Sequence, residues 1–266
     1  MKKISSSANA EFKQLRELVD SSRERRKAGL TVLDGIHLVQ AYRDHVGTPE
    51  RIVVSESSSL NNEIKQIVNN FSSSEILQAS DGLFKQLSQL ATPTGILAVV
   101  KTPRPQPVPA DMDSCILLED LQDPGNLGSI LRIAAAAGVG HVLLSKNSVQ
   151  AWSPRVVRAG MGAHFMLQIH EQANLLTAAA SFEGKVLAAS RKAPQSLYDA
   201  DLKGKIAFAF GNEGSGLSRP LRSAAHAEVS IPMPGKTESL NVAAAVAVCL
   251  FERVRQLRKQ GIGNRE

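Results

Sequence analysis

The chain has 266 residues, of which 43% are hydrophobic, so it can form one large or two small domains with a hydrophobic core. Its formal net charge of +6 favours a polyanionic partner, and an aromatic content of only 4% disfavours a recognition surface built on base stacking. Two cysteines exclude a disulfide framework and a Cys-based metal site. Both cysteines, Cys115 and Cys249, lie in apolar stretches, which predicts buried thiols.

The N-terminus, MKKISSSANAEFKQ, is basic but has no apolar core, so a signal peptide is not expected. No apolar run in the sequence is long enough to span a bilayer. We therefore expect a cytoplasmic protein without a membrane partner.

The N-terminal third alternates between predicted helices and strands. Asn9 or Ser7 is expected to cap a helix, and two further helices are expected around residues 60–71 and 81–90. Their apolar faces would carry Phe12, Leu15, Leu18 and Val19; Leu60, Ile64, Ile67, Val68 and Phe71; and Leu83, Phe84, Leu87 and Leu90. The segments 52–55, 75–78 and 95–100 read as strands. The pattern predicts a small layered α/β domain.

A proline-rich segment separates this region from the rest. Pro103, Pro105, Pro107 and Pro109 alternate with other residues, a pattern that favours extended polyproline II. We therefore predict a linker over residues 103–111, between domains covering 1–102 and 112–266.

Four continuous apolar runs follow the linker, at residues 115–119, 141–145, 185–189 and 206–210. Strands buried on both faces have this composition, which predicts a mostly parallel sheet covered by helices. Ligands of such sheets bind outside the carboxyl ends of the strands. The loops DLQDPGNLGS and GNEGSG directly follow two of the runs and are therefore the candidate binding loops.

The glycines of GNEGSG allow close approach of a ligand to the backbone, although a tight turn would explain them as well. The loop is not the dinucleotide pattern G-x-G-x-x-G, and Glu213 would repel a pyrophosphate, so a nucleotide-dependent oxidoreductase is disfavoured. PGKTES also fails as a phosphate-binding P-loop, because Ser230 stands where its first glycine is required.

Several polar residues stand out from apolar helices. Ser239 and Asn241 precede an apolar helix, where a capping role and a ligand-binding role are compatible. Arg132 on an apolar helix must snorkel or meet an acidic or phosphate partner. The cluster of Arg23, Arg25, Arg26 and Lys27 is either a solvated helix end or an RNA contact. The six histidines show no spacing typical of a metal site.

Three segments in this order, DPGNLGSILRIAAAAGV, FGNEGSGLS and IPMPGKTESLNVAAAVAVCLFE, resemble the three motifs of the SpoU (TrmH-type) branch of the SPOUT methyltransferase superfamily. AWSPRVVRAGMGAHF is also similar to a family segment, with Gly160 where Ser is common. The resemblance covers residues 114–258. RRKAGLTVLDGIHLVQAY resembles the small, ribosomal-protein-like substrate-binding domain of the family, with Asp34 where Glu is usual.

The resemblance implies an α/β substrate-binding domain followed by an α/β trefoil-knot methyltransferase domain with a mostly parallel sheet. It also implies a homodimer through the C-terminal domain and methylation of a ribose 2′-hydroxyl from S-adenosylmethionine, without a metal. The residues implied for cofactor binding are Gly211, Ile231, Leu240, Asn212, Gly216 and Met233. The implied catalytic set is Asn126, Arg132, Glu213, Ser239 and Asn241. The residues expected to contact RNA are Arg23, Arg25, Arg26, Lys27, Arg155 and Arg158.

A basic chain with a ribosomal-protein-like N-terminal half favours ribosomal RNA as the substrate. Transfer RNA is the first alternative, and a non-catalytic RNA-binding protein with a degenerate methyltransferase half is the second. The family offers Arg132 as the group that activates the hydroxyl. Because a guanidinium is a poor base, we expect Arg132 to stabilise the developing alkoxide rather than to act as a base.

Overall fold

The computed structural model of the chain describes residues 1–71, 74–103, 106–109 and 111–258. It divides into two compact units. The first consists of Met1–Arg104 and Trp152–Phe165, and the second of Pro105–Ala151 and Met166–Glu266. No helix in the described part of the chain is long and apolar enough to cross a membrane.

The helices and strands are numbered along the chain. The strands are β1 Lys2–Ile4, β2 Leu30–Asp34, β3 Arg51–Ser55, β4 Glu75–Ala79, β5 Ile96–Lys101, β6 Ser114–Leu118, β7 His141–Leu144, β8 Gln168–His170, β9 Lys185–Ala189, β10 Gln195–Ser196, β11 Ile206–Phe210 and β12 Ala227–Ser230. The helices are α1 Ala10–Asp20, α2 Ser22–Ala28, α3 Ile36–His45, α4 Asn62–Asn69, α5 Asp81–Leu87, α6 Pro124–Ala136, α7 Pro154–Gly160, α8 Leu175–Ser181, α9 Arg219–Ala224 and α10 Val242–Arg258.

The first unit is built on a mixed sheet in the order β1-β4-β3-β5-β2. β5 runs antiparallel to β2 and β3, and the remaining pairs are parallel. The Asn9 side chain caps α1 by accepting a hydrogen bond from the N–H of Glu11. The four apolar residues predicted on this helix are buried in a cluster with side chains from the sheet. The predicted helix and the three predicted strands are therefore confirmed.

The second predicted helix is shorter than its apolar pattern. The Asn61 side chain accepts hydrogen bonds from the N–H groups of Glu63 and Ile64, so α4 begins at Asn62 and excludes Leu60. Leu60 is consequently exposed. Phe71 lies beyond the end of α4 and is nevertheless buried. The apolar spacing identified the helix but not its ends.

The short helix α7 belongs to the first unit although it lies far along the sequence. α7 packs on β2, and the Thr31 hydroxyl donates a hydrogen bond of 2.6 Å to the carbonyl of Trp152. Tyr42 and Phe165 meet edge to face within the same unit. Apolar spacing does not specify which sheet a short helix joins, so this placement was not predicted.

The second unit contains a seven-stranded sheet in the order β10-β12-β9-β11-β6-β7-β8. All of its strand pairs are parallel. The four predicted apolar runs form β6, β7, β9 and β11, and residues of helices α8 and α9 pack with them in one core cluster. The predicted α/β fold with a mostly parallel sheet is confirmed. The short strands β8, β10 and β12 have only two to four residues and were not predicted.

Both cysteines are buried and unpaired, as predicted. Burial raises the pKa of each thiol to about 12, so neither is a thiolate at neutral pH. Within the predicted linker, Pro103, Pro107 and Pro109 lie in no helix or strand. Pro105 lies outside the described residues.

Two arginines of the predicted RNA-contacting set donate hydrogen bonds to main-chain carbonyls within the first unit. Arg25 is buried, and its guanidinium donates to the carbonyls of Leu18 and Val19 at 2.9 and 3.0 Å, near the end of α1. Arg158 is half-buried and donates to the carbonyl of Gln89 at 2.8 Å. Arg25 is therefore withdrawn from the RNA-contacting set, because its charged group is held by carbonyls that close a helix.

Replacing Arg25 by Met should destabilise the protein. The methionine keeps an apolar stem but leaves two carbonyls without their charged donor, which should lower the free energy of unfolding by about 2 kcal/mol. Arg26, which is exposed on the same helix, is the matched control. Arg26→Met should stay within about 0.5 kcal/mol of wild type in denaturant unfolding. Equal effects of the two substitutions would contradict the structural role of Arg25.

Candidate active site

The candidate site lies where strands of the parallel sheet end. The loop after β6 (residues 119–123, the β6 loop) and the loop after β11 (residues 211–218, the glycine loop) follow adjacent strands. The segment after β12 (residues 231–241, the β12 loop) leads into α10 at the same edge. Carboxyl ends of parallel strands form the usual ligand edge of such a sheet. The structure thus places all three motif segments on one edge.

The glycine loop is a tight fold-back held by Asn212. The Asn212 side-chain carbonyl accepts from the N–H groups of Gly214 and Ser215, at 2.9 and 3.1 Å. The main-chain carbonyl of Asn212 accepts from the N–H of Gly216, which has a φ of 71°. A Cβ on Gly211 would lie 2.1 Å from the carbonyl carbon of Gly216. Gly211 is therefore required by the closure of the loop.

A chain of hydrogen bonds joins the three loops through Glu213, Asn126 and Asn241. The Asn126 side-chain amide donates to Glu213 Oε1 at 3.1 Å. The Asn126 side-chain oxygen accepts from the Asn241 amide at 2.8 Å. Because the carboxylate only accepts, it fixes the orientation of the Asn126 amide, which in turn fixes that of Asn241.

The Glu213 carboxylate is also held by the main chain of the β6 loop. The N–H of Asp123 donates to Oε1 at 3.1 Å and the N–H of Gln122 donates to Oε2 at 3.3 Å. Partial burial raises the pKa of Glu213, but hydrogen bonds from its own N–H, from Asn126 and from the β6 loop outweigh burial. The pKa of Glu213 therefore lies below its ordinary value, and the group is a carboxylate at neutral pH.

Asn241 has a second task as the cap of α10. Its side-chain oxygen accepts from the N–H groups of Ala243 and Ala244, at 2.9 and 3.4 Å. Asp123 does the same for α6, accepting from the N–H of Asn126 at 2.7 Å. Asn126 and Asn241 are thus both fixed at helix N-termini, where main-chain N–H groups attract negative charge. The capping role of Asn241 is confirmed, and the same side chain also donates to Asn126.

The hydrogen-bond chain does not include Arg132 or Ser239. Arg132 is exposed on α6, and its side chain makes no hydrogen bond or ion pair with any residue that the structure describes. The Ser239 hydroxyl is likewise exposed and has no partner in the described ranges. These two groups are therefore available to a ligand or to another chain.

The residues implied for cofactor binding lie in two loops. Gly211, Asn212 and Gly216 build the glycine loop, while Ile231, Met233 and Leu240 lie in the β12 loop. Ile231 and Met233 are half-buried, and Leu240 is exposed. Among the described residues, the main-chain N–H groups of Met233 and of residues 235–240 have no hydrogen-bond acceptor. Apolar side chains beside open main-chain donors suit a nucleoside that is bound largely through the backbone.

Sequence reasoning missed two residues that hold the glycine loop in place. Glu119 accepts from the N–H and the hydroxyl of Ser218, both at 2.7 Å, and so fixes the end of the loop. Asp120 accepts through its carbonyl from the Asn212 side chain at 2.8 Å. Both residues directly follow β6, and that position at a strand end was the available signal. No group of three potential metal ligands occurs in the described part of the chain.

Comparison with protein families gives two matches. Residues 113–251 match the model of the SpoU rRNA methylase family, and residues 9–98 match the MRM3-like substrate binding domain. The chain belongs to the SpoU rRNA methylase family. It is accordingly an RNA methyltransferase, and the resemblance that was based on the three motifs is confirmed.

Similar proteins and structures that match most of the chain support membership in the SpoU family. An uncharacterised tRNA/rRNA methyltransferase of Synechocystis is 33% identical over 95% of the chain and 93% of that protein. A 23S rRNA (guanosine-2′-O-)-methyltransferase of Shewanella oneidensis is 33% identical over 85% of the chain and 98% of that protein. The crystal structure of an RNA 2′-O ribose methyltransferase superposes with a TM-score of 0.82 at 29% identity, covering 96% of this chain and 98% of the other.

The closure of the glycine loop can be tested with two alanine substitutions. Gly211→Ala should lower methyl transfer by at least about tenfold, because the loop must open to admit the Cβ and would displace Glu213. Gly214→Ala is the control, since its nearest neighbour would be the Asn212 side-chain oxygen at an ordinary 3.5 Å. The measurement is initial rate on RNA, with circular dichroism to confirm folding. Equal rates for the two variants would refute the role of Gly211.

Proposed function

We propose that this SpoU family member transfers the methyl group of S-adenosylmethionine to a ribose 2′-hydroxyl of ribosomal RNA. The observation that carries the proposal is the chain of hydrogen bonds from Glu213 through Asn126 to Asn241 at the carboxyl edge of the parallel sheet. It joins residues from all three motif segments into one polar surface. Such an ordered surface suits a reaction that depends on the alignment of two bound molecules.

The proposed cofactor residues fit the group by their chemistry. Open main-chain N–H groups and the half-buried Ile231 and Met233 would hold S-adenosylmethionine against the glycine loop, with Leu240 as an apolar cover. When bound, S-adenosylmethionine supplies an electrophilic methyl group on a sulfonium sulfur. Gly211, Asn212 and Gly216 give the loop the shape that this binding needs. The scheme uses no metal.

Arg132 is proposed to act on the RNA. A guanidinium is a poor base, but its planar donors can hold a phosphate and stabilise negative charge on the attacking 2′-oxygen. Its exposure and lack of partners among the described residues leave these donors available. Asn126, Asn241 and Ser239 would orient the ribose hydroxyl by hydrogen bonds, with Glu213 fixing the two amides.

The remaining features of the proposal concern architecture and assembly. α10 follows β12 yet packs against α6, a return path that fits a trefoil knot. Phe251 is exposed on α10, which fits a homodimer through the C-terminal domain. We further propose a substrate-binding domain over 1–102, a linker over 103–111 and a methyltransferase domain over 112–266, of which residues 152–165 belong to the first compact unit. We also propose a cytoplasmic location.

The RNA-contacting surface is proposed to use the exposed cations of the first unit. Arg23, Arg26, Lys27 and Arg155 are exposed, whereas Arg158 is partly engaged by the carbonyl of Gln89. Positive charge on a substrate-binding domain attracts the RNA backbone without reading its sequence. Ribosomal RNA is favoured because two relatives that match most of the chain are 23S rRNA 2′-O-methyltransferases, in Shewanella oneidensis and Bacillus subtilis.

The test of this function is to map 2′-O-methyl groups in RNA from cells with and without the gene, and to restore the lost mark with purified protein and S-adenosylmethionine. Loss and restoration of a mark in ribosomal RNA are expected. A mark in transfer RNA instead would identify the alternative substrate and overturn the ribosomal assignment. No change in any RNA would support a non-catalytic RNA-binding protein.

Arg132→Lys separates the proposed role of the guanidinium from simple positive charge. Lysine keeps the charge but loses the planar donors, so the turnover rate should fall by about tenfold or more while RNA affinity changes little. The measurements are single-turnover methylation and RNA binding. Arg222→Ala, an exposed arginine on α9 outside the polar set, should behave as wild type. Full methylation by Arg132→Lys with intact RNA binding would contradict the proposed role.

A further inference from the structure

Asp120 has an unusual backbone conformation at the start of the β6 loop. Its φ is 54°, in the left-handed region that residues with a side chain rarely adopt. Asp tolerates this region better than most residues, but glycine adopts it without steric cost. A strained residue with a side chain at a functional edge raises the question of what the side chain does there.

The Asp120 side chain ties the β6 loop to the loop after β7. Its Oδ1 accepts from the Ser145 hydroxyl at 2.6 Å, and its Oδ2 accepts from the Asn147 amide at 3.3 Å. The N–H of Asp120 donates to the same Ser145 oxygen at 2.8 Å. Three hydrogen bonds to two residues thus hold Asp120 in the left-handed conformation.

The Asp120 carbonyl reaches in the opposite direction, towards the glycine loop. It accepts from the Asn212 side chain at 2.8 Å and from the Gln122 side chain at 3.1 Å. Gln122 also donates to the carbonyl of Asn147 at 2.7 Å. Asp120 is therefore a junction of three loops, which follow the neighbouring strands β7, β6 and β11.

The orientation of Asp120 determines where the next residues lie. The N–H groups of Gln122 and Asp123, which follow closely in the sequence, donate hydrogen bonds to the Glu213 carboxylate. Asp123 then caps α6 through the N–H of Asn126. A rotation of the Asp120 peptide would move these donors away from Glu213 and release Asn212 from the β6 loop.

We propose that Asp120 is a positioning residue for methyl transfer: its contact with Ser145 locks the β6 loop so that Glu213 and Asn126 are aligned before substrate binds. This inference rests on the proposed function and adds to it a residue that acts through its contacts with neighbouring loops. A simple turn is the competing explanation. The two differ in what glycine would do at this position, because glycine relieves the backbone but has no carboxylate.

The test uses Asp120→Gly, Ser145→Ala and the double variant in steady-state methylation of ribosomal RNA. Asp120→Gly and Ser145→Ala should each lower kcat by about tenfold, with KM for RNA and for S-adenosylmethionine within about threefold of wild type. The double variant should be no more than about twofold slower than either single variant, because both changes remove the hydrogen bond from the Ser145 hydroxyl to the Asp120 carboxylate. Asp120→Asn, which still tolerates the left-handed region and still accepts from Ser145, should recover most of kcat.

Wild-type kcat in Asp120→Gly would overturn the inference in favour of a simple turn. Losses that multiply in the double variant would overturn it as well, because the two residues would then act independently. If Asp120→Gly does not fold, Ser145→Ala and Asp120→Asn carry the test, and a wild-type kcat in Ser145→Ala overturns the inference. A wild-type protein that methylates no ribosomal RNA counts against the proposed function, whereas wild-type activity with an equally active Asp120→Gly counts only against the role of Asp120.

Discussion

The organisation of this enzyme depends on one carboxylate. Glu213 accepts hydrogen bonds from the β6 loop and from the Asn126 amide. The Asn126 side-chain oxygen in turn accepts from the Asn241 amide, so the orientation of Asn241 is also fixed. Each link joins segments that are far apart in sequence, so the polar edge exists only when the parallel sheet has brought β6 and β11 together. Because a carboxylate can only accept, it removes the ambiguity in the orientation of both asparagine amides.

The rest of the second unit supports this interaction. The absence of a side chain at Gly211 lets the glycine loop close, and Glu119 holds its far end through Ser218. Asn126 lies in the first turn of α6 and Asn241 caps α10, so the helices fix the backbone while the hydrogen bonds between the side chains fix their orientation. Preorganisation of this kind lets alignment, rather than a strong base, carry a transfer reaction.

The buried strands and the capped helix α1 were predictable because long apolar runs and Asn caps are local signals. The three motifs, taken in order, led to the family and to Glu213, Asn126 and Asn241. The short strands and the placement of α7 could not be predicted, since each depends on long-range contacts. The position of Glu119 and Asp120 directly after β6 marked them as candidates, but their partners in the glycine loop are distant in sequence and were not predictable. Arg25 shows the opposite error: a run of cations suggested a surface, yet one member closes a helix inside the unit.

The most direct test of the central interaction is a carbon-13 NMR titration of the Glu213 side-chain carboxyl group, in wild type and in Asn126→Ala. Hydrogen bonds to the charged form favour it, so the wild-type midpoint should lie below the ordinary value of about 4.3. It should move upward when the Asn126 amide is removed. A wild-type midpoint at or above the ordinary value, or one that Asn126→Ala leaves unchanged, would contradict a site organised around Glu213.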